Sequence, residues 1–142
     1  MLHPALESHR DAFAGRDACV TGGAGFIGSH LVDYFLGTPF GFEVTVLDDF
    51  SSGSAANLAS SGARLIEGSI LDSRALQASM KDADAVVHLA ARPSVPRSID
   101  EPAPAHEVNA TGTLRVLEAA RGCGAPHVIV ASSSSEIGRA HV

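Results

Sequence analysis

Short apolar runs alternate with helical patterns along most of the chain. Residues 18–20 and 43–47 are β-rich runs, and residues 26–36 between them carry a helical pattern. Further strands are predicted at 64–67, 85–89 and 127–131, the last two as continuous apolar runs of the kind covered on both faces. This alternation is typical of βαβ units and predicts an α/β protein with a parallel sheet.

Helix signals separate the later strands. Asp72 is the predicted N-cap of a helix over 72–80, and a long helix is predicted to end near Arg121, where Gly122 and Gly124 stop it. Connections between parallel strands cross over right-handedly. Five strands with a glycine-rich loop after the first therefore favour a Rossmann-type, doubly wound sheet of order 3-2-1-4-5.

The glycine-rich turn after the first strand is a candidate phosphate site. Gly22 permits a tight turn, Gly25 allows the backbone to approach a pyrophosphate, and Gly28 allows the helix to pack closely on the sheet. The first turn of the helix then presents N–H groups and a positive dipole end to phosphate oxygens. The position between a strand and a helix favours a dinucleotide site, and a turn without a ligand is the alternative.

An acidic residue ends the second predicted strand. Asp48 lies 20 residues after Gly28, the separation expected of a carboxylate that accepts hydrogen bonds from both adenosine ribose hydroxyls. The same carboxylate would repel a 2′-phosphate, so NAD is favoured over NADP. A plain turn residue is the alternative, and for Asp49 the two interpretations are equally supported.

Composition narrows the range of partners. The chain has 142 residues with 45% hydrophobic content, which suits one domain with a core. A formal net charge of −6 argues against a nucleic-acid surface.

No apolar stretch is long enough for a membrane span and no signal peptide pattern begins the chain, so we expect no membrane partner and a cytoplasmic protein. Cys19 and Cys123 lie outside any CxxC spacing, so neither a disulfide nor a metal site is expected.

Together these motifs resemble the N-terminal part of the extended short-chain dehydrogenase/reductase family of NAD-dependent sugar-nucleotide epimerases and dehydratases. The resemblance also rests on residues 46–53, on 88–91, on Asn109 followed by Gly112-Thr113, and on the serine run at 132–135. Ser69 stands where the family usually has an aspartate that binds the adenine amino group. The cofactor-binding residues that the resemblance implies for NAD are Gly22, Gly25, Phe26, Ile27, Gly28, Asp48, Asp49, Ser52, Gly53, Ser69, Ile70, Leu89, Ala90, Ala91 and Asn109.

The resemblance also implies a substrate side, for a sugar nucleotide. Ser133 corresponds to the catalytic hydroxyl, with Ser94 and Ser134 as substrate contacts. From the residues alone, a solvated turn is the alternative interpretation of the serine run. Arg92 and Arg97 face either a substrate diphosphate or solvent. From residue properties alone, Asn109 is a poor helix former, which a specific hydrogen bond would explain better than propensity does. A solvent-facing asparagine is the alternative. His88 resembles a satisfied core histidine and receives no role.

The catalytic Tyr-x-x-x-Lys pair of the family does not occur in this sequence. Tyr34, the single tyrosine, belongs to the first helix. We therefore expect a catalytically incomplete part of an epimerase or dehydratase whose full-length parent is a homodimer. The alternative is a non-catalytic NAD-binding sensor or scaffold module.

The expected domain organisation has three parts. Residues 1–16 form a loose leader or a short helix, and residues 17–135 form the NAD-binding Rossmann domain, truncated after its fifth strand. Residues 136–142 match one reading frame of a common short-read sequencing adapter, so a non-native tail is expected there. A divergent natural tail is the alternative.

Overall fold

A parallel five-stranded sheet lies at the centre of the computed structural model, which describes residues 7–125 and 127–133. Its strands are β1 Asp17–Thr21, β2 Glu43–Asp48, β3 Arg64–Glu67, β4 Ala85–His88 and β5 His127–Val130. Their order is β3-β2-β1-β4-β5, and every neighbouring pair is parallel. The predicted doubly wound order is therefore confirmed.

Helical segments connect the strands. In chain order they are α1 Arg10–Phe13, α2 Phe26–Gly37, a 3₁₀ turn Ala55–Leu58, α3 Ser73–Met80, α4 Val95–Asp100, α5 Pro102–His106, a π-helical turn Glu107–Gly112 and α6 Thr113–Cys123. Asp72 caps α3 as predicted, because its carboxylate accepts the N–H of Arg74 at 2.8 Å. None of the helices in the described part of the chain is long and apolar enough to cross a bilayer.

The end of α6 corrects one prediction. Gly124 adopts φ +75°, a left-handed conformation that ends the helix, and its N–H is bonded to the last carbonyls of α6. Gly122 lies inside α6. Its prediction as part of the stop is wrong, because the left-handed backbone occurs two residues later.

The core is divided between the two faces of the sheet. On one face, Val20 and Val46 pack with Val32 of α2. On the other face, the core includes Leu76 of α3 and Val116 of α6. All five side chains are fully buried or nearly so, and burial of each contributes about 1.5 to 3 kcal/mol to folding.

The last strand is less buried than its apolar sequence predicts. Ile129 is 61% exposed and Val130 is 44% exposed, whereas Val128 of the same strand packs against the core. The prediction that both faces of this strand are covered is therefore wrong. Among the described residues β5 is the outermost strand of the sheet, and α6 packs on α3 and β4.

Within the predicted leader the structure shows the short helix α1, which was one of the two alternatives. The Phe13 ring lies 5.8 Å from that of Phe40 and 6.5 Å from that of Phe42. Arg16 forms a 2.8 Å ion pair with Asp84, which precedes β4. These contacts attach the segment to the end of the sheet where the strands begin.

Candidate functional site

The carboxyl ends of β1, β2 and β4 meet at one edge of the sheet. Gly22 follows β1, and its N–H donates to the Leu47 carbonyl of β2 at 2.8 Å. Leu89 follows β4, and its N–H donates to the Thr21 carbonyl at 3.0 Å. The chain winds outward in both directions from this point, and doubly wound sheets bind ligands in such a crevice.

Two glycines of the turn are required by the protein's own packing. Gly22 has φ +73°, and a Cβ there would lie 2.6 Å from the Ala90 nitrogen. A Cβ on Gly28 would lie 2.3 Å from the Gly22 carbonyl oxygen. The tight turn and the close approach of α2 that the sequence predicts are both present.

Gly25 is different, because packing does not explain it. A Cβ there would meet only the Gly22 oxygen, at 3.4 Å, which is an ordinary contact. Its backbone angles of −75° and 176° are open to any residue. The space in front of the N-terminus of α2 is therefore free for a ligand, and a Cβ would narrow it. A pyrophosphate fits this cradle of backbone N–H groups.

Asp48 lies beside this turn and is only 8% exposed. Its Oδ2 accepts the Ala24 N–H and its Oδ1 accepts the Phe50 N–H, each at 2.9 Å. A carboxylate oxygen can accept a second hydrogen bond, so the group remains able to bind ribose hydroxyls. Asp49 is exposed, and its Oδ1 accepts the Ser51 N–H at 2.9 Å within the turn itself.

The segment after β2 also contacts the glycine-rich turn of residues 22–25 (the phosphate turn), through Ala24. A Cβ on Gly53 would lie 2.7 Å from the Ala24 carbonyl carbon, so the two backbones touch. The Ala24 oxygen accepts the Ser54 N–H at 3.1 Å and the Asn57 side-chain amide at 2.8 Å. The sequence analysis did not select Asn57, and no local motif marks it. Ser52 is exposed on the same segment.

Ser69 and Ile70 follow β3 at the same edge of the sheet. The Ser69 hydroxyl accepts the Leu71 N–H at 3.1 Å. Ile70 is 5% exposed and belongs to the core, with its Cδ1 placed 2.5 Å from where a Cβ on Gly112 would be. Any contact from Ile70 to a ligand would therefore come from its backbone.

Asn109 lies in the π-helical turn and holds the loop that follows β4. Its Oδ1 accepts the Arg92 N–H at 2.8 Å, and its Nδ2 donates to the Arg92 carbonyl at 3.1 Å. The structure shows the predicted specific hydrogen bonding of this asparagine, with the backbone of Arg92 as the partner, and the residue is at the same time exposed. The Arg92 guanidinium forms a 2.8 Å ion pair with Glu101.

Ser94 lies in this loop as the N-cap of α4. It has φ +109°, which is unusual for a residue other than glycine, and its hydroxyl accepts the Arg97 N–H at 3.4 Å. Such strained positions persist where the surrounding structure over-determines them. The structure therefore gives Ser94 a capping role, and its side chain is exposed at the site's edge.

The remaining predicted site residues are exposed near the same edge. Phe26 and Ile27, at the N-terminus of α2, are 79% and 70% exposed, whereas Ala90 is half-buried and Ala91 is exposed. Ser133 lies beyond the carboxyl end of β5 and is exposed, and Ser134 lies outside the described residues. Within residues 7–125 and 127–133, no three His, Cys, Asp or Glu side chains are grouped so as to hold a metal ion.

His88 is buried at the end of β4, as expected of a satisfied core histidine. Its ring nitrogens lie 2.6 Å from the Thr21 hydroxyl and 3.0 Å from the Thr113 hydroxyl. Burial lowers the pKa of this imidazole below its ordinary value. The ring is therefore neutral under ordinary conditions.

The parallel sheet, the glycine turn and the buried acid at the switch point are the features of a dinucleotide-binding Rossmann-type domain. Residues 18–142 match the model of the NAD dependent epimerase/dehydratase family. The chain therefore belongs to this family. The predicted resemblance is confirmed, and the predicted cofactor agrees with the NAD dependence of the family as a whole.

Individual relatives cover most of this chain. A UDP-glucose 4-epimerase of Mycolicibacterium smegmatis is 43% identical over an alignment of 124 residues that covers 83% of this chain and 39% of that protein. A dTDP-glucose 4,6-dehydratase of Mycobacterium tuberculosis is 39% identical over 108 residues, covering 74% of this chain and 33% of that protein. The crystal structure of a UDP-glucose 4-epimerase from Brucella ovis in complex with NAD superimposes with a TM-score of 0.81 and 33% identity, over 90% of this chain and 39% of that one. The chain thus spans less than half the length of these relatives.

Proposed function

We propose that this chain binds NAD at the carboxyl edge of the sheet and forms the NAD-binding part of a sugar-nucleotide epimerase or dehydratase. One observation carries the proposal: the buried Asp48 carboxylate is bonded to the Ala24 N–H of the phosphate turn, 2.9 Å away. A ribose acceptor and a pyrophosphate cradle are thereby held side by side, as one dinucleotide requires.

Each part of the proposed site has a separate task. The backbone at Gly25, Phe26 and Ile27 would bind the pyrophosphate, since the first N–H groups of α2 have no partner within the helix. Asp48 would bind the adenosine ribose, with Ser52 and Gly53 beside it. When bound, NAD supplies a site that accepts a hydride and returns it.

The rest of the cofactor would follow the neighbouring strand ends. The backbone of Ser69 and Ile70, after β3, would border the adenine, and Leu89 to Ala91, after β4, would lie under the cofactor. Asn109 would act on the nicotinamide side through the loop whose backbone it holds. This distribution is supported by the way the strand ends converge on one crevice.

The proposed substrate is a sugar nucleotide, a class supported by the named activities of the relatives. Ser133 would donate a hydrogen bond to the reacting sugar oxygen, with Ser94 and Ser134 as further contacts. A serine hydroxyl requires a neighbouring base to act on a proton by itself, and the sequence contains no Tyr-x-x-x-Lys pair. The 142 residues are therefore proposed to bind NAD without completing the reaction. For the whole protein a homodimer is proposed.

Calorimetric titration of the chain with NAD and with NADP tests the cofactor assignment. NAD is expected to bind more tightly, because Asp48 accepts from ribose hydroxyls and repels a 2′-phosphate. The variant Asp48→Ala should weaken NAD binding by about 1.5 to 3 kcal/mol for each hydrogen bond lost. The matched control is Asp33→Ala on the exposed side of α2, which should bind NAD as the wild type does. NADP binding as tight as NAD binding would contradict the role of Asp48.

Incubation of the chain with NAD and a panel of UDP-, GDP- and dTDP-hexoses tests catalytic incompleteness. No product should appear by chromatography, because orientation and proton transfer are both incomplete, and their joint loss exceeds roughly 10⁴-fold in rate. Turnover would show that a catalytic base exists within these residues. The same assay on the full-length gene product distinguishes an enzyme from a sensor or scaffold module.

A further inference from the structure

The imidazole of His88 connects two parts of the proposed site that lie far apart in the sequence. It is 3% exposed, and it is paired across the sheet with Thr21, the last residue of β1. Its Nδ1 lies 2.6 Å from the hydroxyl of Thr21, and Thr21 is the residue directly before the phosphate turn. Its Nε2 lies 3.0 Å from the hydroxyl of Thr113, the first residue of α6.

The direction of these hydrogen bonds follows from the partner beyond Thr113. The Thr113 hydroxyl lies 2.7 Å from the Asn109 carbonyl oxygen. A carbonyl can only accept, so the single hydroxyl hydrogen of Thr113 is donated to it. Toward His88 the hydroxyl must then accept, which places the ring hydrogen on Nε2 and leaves Nδ1 as an acceptor.

The other end of the chain of hydrogen bonds agrees with this direction. The Thr21 hydroxyl donates to Nδ1, and its oxygen accepts the Ala90 N–H at 3.4 Å. The bonds therefore run one way, from the Ala90 amide through Thr21, His88 and Thr113 to the Asn109 carbonyl. Burial lowers the pKa of His88, which agrees with a neutral ring.

Both ends of this chain of bonds meet backbone of the proposed site. Gly22, next to Thr21, packs so closely on Ala90 that a Cβ would lie 2.6 Å from its nitrogen. Asn109, at the other end, holds the backbone of Arg92 through two hydrogen bonds. The imidazole thus spans the distance between the phosphate turn and the loop after β4.

We infer that His88 is a positioning residue of the NAD site: its neutral ring, protonated on Nε2, sets the spacing between the phosphate turn and the Asn109 segment. The inference rests on the proposed function, since it is the NAD site that is positioned. His88 itself contacts neither cofactor nor substrate in this role.

The experiment interrupts the chain of bonds at each end with a near-isosteric change. Thr113→Val and Thr21→Val each remove one hydroxyl and keep the side-chain shape, and Thr113→Ser and Thr21→Ser restore the hydroxyl. Each valine variant should bind NAD roughly fivefold to tenfold more weakly by calorimetry, the value of one net hydrogen bond. The serine variants should recover most of that affinity. The matched control is Thr38→Val, at the far end of α2, which also removes one hydrogen-bonded hydroxyl and should bind NAD as the wild type does.

Nitrogen-15 correlation spectra of the wild-type chain provide a signature that affinity alone would not. The His88 ring should carry its hydrogen on Nε2, and Thr113→Val should shift the Nε2 and Hε2 resonances because that N–H loses its acceptor. A hydrogen on Nδ1, a doubly protonated ring near neutral pH, or valine variants that bind NAD as tightly as the wild type would overturn the inference. If the wild-type chain does not bind NAD at all, the proposed function fails and the positioning role fails with it. If it binds and the valine variants bind equally well, the positioning role alone is overturned.

Discussion

Separate changes of Gly28 and Gly25 to alanine should distinguish a glycine that folding requires from a glycine that NAD binding requires. In Gly28→Ala, the new Cβ would lie 2.3 Å from the Gly22 carbonyl oxygen, which is backbone and cannot move without shifting the turn. Overpacking of this kind costs about 1 to 3 kcal/mol, and alanine's better helix propensity returns at most about 1 kcal/mol. A 2.3 Å contact with backbone belongs in the upper part of this range, about 2 to 3 kcal/mol, so we expect the free energy of unfolding to fall by about 1 to 2 kcal/mol.

In Gly25→Ala the folded state should be nearly unaffected. The new Cβ would meet one protein atom, at 3.4 Å, and the backbone angles suit alanine. Alanine is a poorer N-cap than glycine by about 0.5 to 1 kcal/mol. The reduced entropy of the unfolded chain compensates by about 0.4 to 1 kcal/mol. The free energy of unfolding should therefore change by less than about 0.5 kcal/mol, while NAD binding should weaken at least about tenfold because the methyl group occupies the pyrophosphate's space.

Urea denaturation and NAD titration of both variants beside the wild type form the assay. A matched control is Gly37→Ala at the far end of α2, where a Cβ would meet no atom within 4 Å. It should lower neither stability nor affinity. If Gly25→Ala binds NAD as tightly as the wild type, the phosphate cradle in front of α2 is the wrong site. If Gly28→Ala is as stable as the wild type, the packing argument is wrong.

Two further predictions concern titratable groups. The Asp17 N–H and the Arg16 guanidinium hold the pKa of Asp84 below 3.8, so this carboxylate stabilises the fold above its ordinary pKa and loses the effect as pH falls through the depressed value. Thermal midpoints should show Asp84→Asn less stable than the wild type near about pH 6, with the difference shrinking as the pH falls below 3.8, and a difference that stays constant into acid would contradict this sign. Burial raises the pKa of the Cys19 thiol to about 11, whereas Cys123 is half-buried. Mass spectrometry after treatment with a thiol reagent near about pH 8 should find Cys123 labelled first and Cys19 labelled only after unfolding, and equal labelling rates would contradict the burial of Cys19.

The sequence by itself determined the features that depend on neighbouring residues. Strand and helix periods predicted five parallel strands in the observed order. The spacing of Gly22 and Gly28 and the distance to Asp48 located the candidate site, because a turn, a helix start and a strand end are encoded within short segments. The same local patterns misplaced one helix stop, at Gly122, since a left-handed backbone can form at either of two nearby glycines.

Tertiary structure alone decided which distant side chains support that site. Asn57 reaches Ala24 across 33 residues of sequence, and His88 meets Thr21 across 67. No periodicity links such positions, because their contact depends on how the sheet brings strand ends together. The sequence also did not predict the exposure of Ile129, because an apolar run is compatible both with a central strand and with an outer strand of a sheet. Local chemistry therefore identified the turn and the acid, and only the fold showed which groups hold them in place.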